Sequence, residues 1–307
     1  MPTPEKINIL VATDDKYSSY CGIMLTSLLD NNKNEYISIH LMTAGLCNES
    51  ISFLKDIVEN RYNQNLHIYV VDEDKFKDCP IRKGDHITLA GYYRIICADI
   101  IPSDIDKILY LDCDIIVRDS IREFWDYDIS EYALAATLDP AWTQGQKYER
   151  LSLNPDDKYF CSGVMLINLK YWRDIHATSQ CFNVLSSMRD NLIQHDQDIL
   201  NVVFSKNWLS VSYRWDYCCL DDFSFASEQE FIADFNKKSK YYPIIIHFAG
   251  LKPWAVRGYY LYQCEFDKYY QMALGKSNPA KYRSIARIKR WGKKHLGLLG
   301  WKDRYME

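Results

Sequence analysis

No run in this 307-residue chain approaches the roughly 18 apolar residues of a membrane-spanning helix, so none is expected. The start, Met1-Pro2-Thr3-Pro4-Glu5-Lys6, lacks the basic and apolar regions of a secretory leader, which makes the cytoplasm the expected compartment. The ten cysteines include no C-x-x-C pair and no zinc-ribbon spacing. Cys218 and Cys219 are adjacent, which is awkward for a mutual bridge, and most of the others sit in apolar runs as small buried hydrophobes. Reduced thiols are therefore expected. No G-x-G-x-x-G follows the first apolar run, which gives way to Thr13-Asp14-Asp15-Lys16. Gly275-Lys276-Ser277 ends like a P-loop, but the glycine required five residues earlier is Tyr270. There is no H-E-x-x-H, no G-x-S-x-G, no internal repeat and no low-complexity tract.

What the chain does hold is an ordinary globular composition, 48% hydrophobic and 25% charged, with material for one sizeable domain. Its net charge of −4 is unevenly spread. Residues 276–307 carry a balance of +8 and the remainder −12, an acidic body with a basic tail. That asymmetry argues against general nucleic-acid binding and for a localised anionic contact.

Short apolar runs at Ile7–Ala12, Ile37–Met42, Leu66–Val71 and Lys107–Leu111 predict strands, with helical spacing at Tyr20–Leu29 and Ser50–Val58 between them. Repeated strand–helix–strand order predicts an α/β fold: a mostly parallel twisted sheet with helices on both faces and ligands at the carboxyl ends of the strands. Farther on, Phe160–Leu169 and Tyr242–His247 read as strands, and Thr178–Met188 and Asp196–Phe204 as helices. No clean linker precedes about Leu274, so residues 1–275 form the expected domain and 276–307 a tail.

Asp112-Cys113-Asp114, directly behind Ile108-Leu109-Tyr110-Leu111, is the most telling motif. Two carboxylates two residues apart project to one side of an extended backbone and repel each other unless a cation or a shared proton holds them. Oxygen ligands of this kind suit Mn²⁺ or Mg²⁺. D-x-D also arises by chance and closes strands in turns. His247 ends a second apolar strand and is followed by Gly250-Leu251-Lys252-Pro253-Trp254. Glycine permits close backbone approach and lysine offers a point charge for phosphate oxygens. A lone histidine on an apolar strand is more often a satisfied core residue than a ligand.

Other polar candidates have bland alternatives. Asp14 and Asp15 follow the first strand, where an acid can meet a ribose or cap a helix. Arg94, in a helical stretch beside two tyrosines, could clamp a diphosphate or sugar hydroxyl, or form a surface ion pair. In His195-Asp196-Gln197-Asp198, acids at a helix start suit the macrodipole, and the same cluster could grip sugar hydroxyls.

Six segments in order, ILVATDDKYSSY, HITLAGYYR, KILYLDCDIIVRD, FCSGVMLINLKYW, HDQDILN and HFAGLKPW, resemble those of family 8 glycosyltransferases of the GT-A type, notably the lipopolysaccharide galactosyl- and glucosyltransferases. The likeness covers roughly residues 7–260. It implies Mn²⁺ on Asp112, Asp114 and His247, bridging the diphosphate of a UDP-sugar. It further implies Ala12 and Asp14 at the uridine, with Cys113 in the same donor-binding set, and Leu89 and His86 at a loop covering the site. Arg94, Asp112, Asp196 and Gln197 would meet the donor sugar, Asp139 the acceptor, and Gly250 and Lys252 phosphate. The chain departs from the family pattern at Cys161, where asparagine is usual, at Gly91, near which threonine or serine is common, and in the single residue between Gly250 and Lys252.

The implied reaction is retaining transfer of galactose or glucose from UDP to a hydroxyl of a saccharide or lipid-linked saccharide, in lipopolysaccharide or other surface glycan synthesis. Same-face attack is the expected course, with double displacement through Asp198 as the alternative. Other readings are a protein- or self-glucosylating transferase, a metal-dependent nucleotide-sugar hydrolase or nucleotidyltransferase, and a non-catalytic sugar-nucleotide binder. In the tail, Ile285, Ile288, Leu296 and Leu299 share one helical face and Arg283, Arg287, Arg290 and Lys294 the other, with Trp291 and Trp301 suited to an interface. Peripheral attachment to the anionic cytoplasmic face of a membrane is the expectation; a helix docked on the body and a solvated tail are the alternatives.

Overall fold

The structure, a computed structural model, describes residues 5–81, 87–139, 147–154, 156–218, 243–250, 252–257 and 262–282. The strands are β1 (Ile7–Ala12), β2 (Ile37–Thr43), β3 (Asn65–Val70), β4 (Lys107–Leu111), β5 (Ile115–Val117), β6 (Leu134–Ala136), β7 (Val164–Asn168), β8 (Trp208–Ser210), β9 (Tyr217–Cys218), β10 (Ile245–His247), β11 (Val256–Arg257) and β12 (Lys281–Tyr282). The helices are α1 (Ser18–Asn31), α2 (Asn48–Lys55), α3 (Cys97–Ile100), α4 (Arg122–Trp125), α5 (Lys147–Leu151), α6 (Leu169–Asp174), α7 (Ala177–Met188), α8 (Asp196–Phe204) and α9 (Gln263–Leu274).

Seven strands form the main sheet in the order β3-β2-β1-β4-β7-β6-β8. β3, β2, β1 and β4 run parallel; β7 is antiparallel to both β4 and β6, and β8 is parallel to β6. The expected α/β architecture is thus present, mostly parallel, with an antiparallel insertion beyond β4. Alternation along the strands explains the layering. Ile7, Ile9 and Val11 of β1 and Leu109 and Leu111 of β4 enter one core with α1 and α9. Leu10, Ala12, Ile108 and Tyr110 enter a second core, on the opposite face, with α3, α6, α7 and α8. Every residue of β1 and β2 is buried, as central parallel strands covered on both faces must be.

Two expectations needed adjustment. The helix read over Ser50–Val58 is α2, followed by a π-helical turn over Asp56–Arg61. The strand read over Phe160–Leu169 is confined to β7, because Cys161–Gly163 leave the ladder, Phe160 keeping a single bridge to Leu138, and Gly163 accepts a bond from the Asp112 N–H at 2.9 Å.

A second, three-stranded sheet, β5-β10-β9, sits just past β4. Its antiparallel β5–β10 register sets His247 opposite Ile115, and the Phe248 N–H donates to the Asp114 carbonyl at 2.9 Å. α9 ends at Gly275, whose φ of +67° suits a residue without a Cβ. The chain is tied down beyond it: Asn278 Nδ2 donates to Asp267 Oδ1 at 2.7 Å and to Pro253 O at 3.1 Å, and β12 pairs with β11. The amphipathic segment read over 283–299 lies outside the described residues, as does His86.

Candidate functional site

A cavity of about 480 Å³ opens at the carboxyl ends of β1 and β4. Ala12, Arg94, Asp112, Cys113, Asp114, Asp139, Asp196, Gln197, His247 and Lys252 all line it. Of the described candidates, Asp14, Leu89, Asp198 and Gly250 do not.

β4 ends at Leu111, so Asp112 and Asp114 emerge from the buried run Ile108–Leu111 onto the cavity. Ligand atoms of Asp112, Asp114 and His247 lie within 4.8 Å of one another. His247 Nε2 stands 3.4 Å from Asp114 Oδ1 and 3.9 Å from Asp112 Oδ2. Its Nδ1 faces Asp216 Oδ1 at 3.0 Å, the carboxylate–histidine arrangement that fixes the orientation of a ligating ring. Two hard oxygen donors and one imidazole around a gap suit a divalent cation. In the protein alone Lys252 supplies the counter-charge, its ammonium pairing closely with Asp114 Oδ2 and donating to Phe248 O. Burial works to raise the Asp114 pKa, but Lys252 and His247 outweigh it and hold the carboxyl well below its usual range. Burial likewise opposes charge on His247, and Asp114 and Asp216 reverse it, holding the ring's pKa well above normal.

Arg94 organises the cavity floor. It lies on a 3₁₀ helix over Leu89–Ile96, is almost fully buried, and rests on the Tyr110 ring at 4.1 Å. Its Nη2 donates to Asp112 Oδ1 at 2.8 Å, its Nη1 to Ser162 O at 2.6 Å, and its Nε lies 3.1 Å from Asp196 Oδ2. Burial disfavours its charge, yet Asp112 and Asp196 more than restore it. Burial pushes Asp196 itself up to about 6, with Arg94 limiting the rise.

Toward the far wall, the Ser162 N–H donates to Gln197 Oε1 at 2.9 Å and Gln197 Nε2 donates to Asp139 Oδ2 at 2.8 Å. Lys147 also donates to Asp139 Oδ2, at 2.8 Å. Both ends of the Gln197 amide are thereby assigned. The preceding His195 holds φ at +54°, a conformation that favours glycine, and its Nδ1 is 3.1 Å from Pro80 O. This turn starts α8 with Asp196 and Gln197 facing the cavity.

The remaining candidates are held elsewhere. Asp14 Oδ1 accepts from the Tyr17 N–H at 3.0 Å, which makes it the cap of the turn entering α1. Asp198 is fully buried and accepts from Arg150, Tyr159 and the N–H groups of Ile193 and Gln194, with no oxygen left for a sugar. Leu89 lines a separate cleft with Pro80 and Arg189, and Gly250 is half-buried beyond β10.

Sequence reasoning missed Asp216, Gly163 and Tyr110. Asp216 orients His247, and the Tyr110 hydroxyl donates to Asp112 Oδ1 at 2.7 Å. Tyr110 and Gly163 lie inside two of the resembling segments, and alternation along β4 puts Tyr110 and Asp112 on one side; Asp216 lies in none of the six.

Comparison with known proteins shows the family. The model of glycosyl transferase family 8 matches residues 8–257, and the chain belongs to that family. It is 30% identical to a lipopolysaccharide 1,2-glucosyltransferase of Escherichia coli, over 81% of this chain and 74% of that one. It is 28% identical to general stress protein A of Bacillus subtilis (strain 168), over 88% of this chain and 94% of that one. Among solved structures, the galactosyltransferase LgtC in complex with donor and acceptor sugar analogs superposes with a TM-score of 0.79 at 24% identity, covering 92% of this chain and all of that one. The likeness to that structure concerns the fold. The protein is a glycosyltransferase.

Proposed function

We propose that the protein moves galactose or glucose from a UDP-sugar to a hydroxyl of a saccharide acceptor, with retention at the anomeric carbon, in synthesis of lipopolysaccharide or another surface glycan. The observation that carries the reading is the convergence of Asp112, Asp114 and His247 on one cavity with Arg94, Asp196 and Gln197. Membership of family 8 and the relative named for a lipopolysaccharide glucosyltransferase support the substrate class.

Asp112, Asp114 and His247 would hold a divalent cation, Mn²⁺ in this reading with Mg²⁺ also chemically suited. When bound, such an ion supplies charge stabilisation to a departing diphosphate without proton transfer. The protein's own groups do the rest. Arg94 and Tyr110 fix the Asp112 carboxylate, and Asp216 fixes the His247 ring, so the ligands are positioned before substrate arrives. Lys252, paired with Asp114 in the free protein, is the cation within reach of a phosphate. The Asp196 carboxylate and the Gln197 amide stand where positive charge would grow on the sugar. The acceptor hydroxyl attacks from the face that UDP leaves: its C–O bond forms as the bond from the anomeric carbon to phosphate breaks, and its proton passes to the phosphate oxygen. Asp139, beside Gln197, belongs to the acceptor side in this scheme.

The basic segment 276–307 is proposed to hold the enzyme on the anionic cytoplasmic face of a membrane. Deletion of residues 283–307 should abolish flotation with anionic liposomes; unchanged flotation ends that part of the reading. For the reaction, UDP release is measured with Mn²⁺ and UDP-galactose, UDP-glucose or UDP-N-acetylglucosamine, for wild type and Asp112→Ala/Asp114→Ala. Metal-dependent turnover of one hexose donor, lost in the variant, is expected. Turnover that persists in the variant, or none with lipid-sugar acceptors present, would refute it.

A further inference from the structure

Behind the His247 ring, on the side away from Asp112 and Asp114, lies a second group of metal-binding side chains: Cys161, Asp216 and Cys218, all buried. They come from three separate places, the turn at Phe160–Gly163, the loop before β9, and β9 itself. The proposed transfer reaction uses neither thiol.

The distances among the two sulfurs and the imidazole nitrogen are close to those of a tetrahedral site. Two sulfurs on one zinc ion, with bonds of about 2.3 Å at the tetrahedral angle, stand roughly 3.8 Å apart, and a sulfur and a nitrogen roughly 3.6 Å. The Cys161 and Cys218 sulfurs are 3.7 Å apart. His247 Nδ1 is 3.8 Å from Cys218 Sγ and 4.0 Å from Cys161 Sγ. Asp216 Oδ1 is 3.7 Å from Cys218 Sγ and 3.0 Å from Nδ1. All four donor atoms lie within 4.8 Å of one another.

A second observation points the same way. Asp216 is fully buried, yet its other oxygen, Oδ2, has no hydrogen-bond partner. A buried carboxylate with one oxygen unpartnered is under-compensated, and a cation on Oδ1 would offset its charge. The cluster is also reachable, since Cys161, Cys218 and His247 all line the main cavity.

We propose that Cys161, Cys218, Asp216 and the Nδ1 edge of His247 form a tetrahedral zinc site, separate from the Asp112/Asp114 set and joined to it by the shared imidazole. Thiolate donors select a soft or borderline ion where the carboxylate pair selects a hard one, so the two sites differ in metal preference. Binding releases the two thiol protons and the Nδ1 proton to solvent, and the Nδ1–Asp216 hydrogen bond is exchanged for two metal bonds. The inference stands on this geometry and does not rest on the reaction proposed above.

Cobalt(II) is the probe. The metal-free, fully reduced chain is titrated anaerobically and followed by absorption. One Co²⁺ per chain should give a thiolate-to-cobalt charge-transfer band and strong tetrahedral bands, bleached by one equivalent of Zn²⁺. Both signals should survive in Asp112→Asn/Asp114→Asn and vanish in Cys161→Ser and in Cys218→Ser. A weak octahedral spectrum, or charge transfer unaltered in both serine variants, would overturn the assignment. X-ray absorption of the zinc-loaded wild type needs no variant: two sulfurs at about 2.3 Å are expected, and a shell of light atoms alone would refute the site.

Discussion

Gly163 lies so close to the His247 ring that a Cβ on it would stand 2.2 Å from Cε1 and 2.7 Å from Nδ1. The same methyl would meet Asp112 Oδ2 at 3.0 Å. Gly163 has no positive φ to preserve, so alanine strains nothing in the backbone there. The defect of Gly163→Ala is therefore displacement of the ring. A shift approaching 1 Å at a catalytic centre costs on the order of 100-fold in rate. UDP release should fall by about that much while the far-ultraviolet circular dichroism is unchanged. Wild-type turnover would mean that the His247 position is not critical.

The framework around this contact was legible and the contact was not. β1, β2 and β4 follow from apolar runs bounded by polar turns, and α8 begins at Asp196, where the change from charge to apolar spacing put it. Donor chemistry groups Asp112, Asp114 and His247 and the family resemblance strengthens the grouping, while 133 residues separate Asp114 from His247 and the β5–β10 register is what brings them together. Cys161 and Cys218 defeat spacing rules for the same reason: their sulfurs meet from a turn and a strand, 57 residues apart, with none of the local C-x-x-C geometry that marks a zinc site in sequence. The reading of Asp198 as a nucleophile had to be made without knowing that Arg150 and Tyr159 would claim it.

Arg94→Lys tests whether a fork or merely a charge is needed beneath the site. A lysine keeps the charge but cannot span Asp112 and Asp196 while also holding Ser162 O. One buried carboxylate then loses its partner, at about 2 kcal/mol. Thermal unfolding should move down, and Mn²⁺ affinity, read from the free-ion paramagnetic resonance signal, should weaken with it. If both stay at wild-type values, Arg94 acts through charge alone.

Asp198→Ala separates a structural carboxylate from a reacting one. The change strands the Arg150 guanidinium, the Tyr159 hydroxyl and two backbone N–H groups in a buried place. Breaking a buried pair by removing one partner costs about 3–5 kcal/mol, so the urea midpoint should fall sharply. In the wild type, mass spectrometry of protein quenched during turnover should find no hexose on Asp198. A sugar there would restore double displacement.

His40 predicts the acid side of the stability curve. Its ring is buried between β1 and β3, with Nε2 3.1 Å from Asn8 Oδ1 and Nδ1 3.0 Å from the Tyr69 hydroxyl. Burial, helped by the neighbouring His67 and Lys6, lowers its pKa from 6.5 to about 4. The unfolded chain therefore takes up a proton at this residue over a range of pH in which the folded chain does not. Stability from this group is complete above pH 6.5 and is lost as the pH falls toward 4, by about 3 kcal/mol in all. Nuclear magnetic resonance of the imidazole proton should show His40 uncharged at pH 5 in the folded protein. The urea midpoint should drop between pH 6.5 and 4.5, and by less in His40→Gln, which has no proton to gain. A His40 resonance that titrates near 6.5, or equal slopes in the two proteins, would show that the fold does not hold this ring neutral.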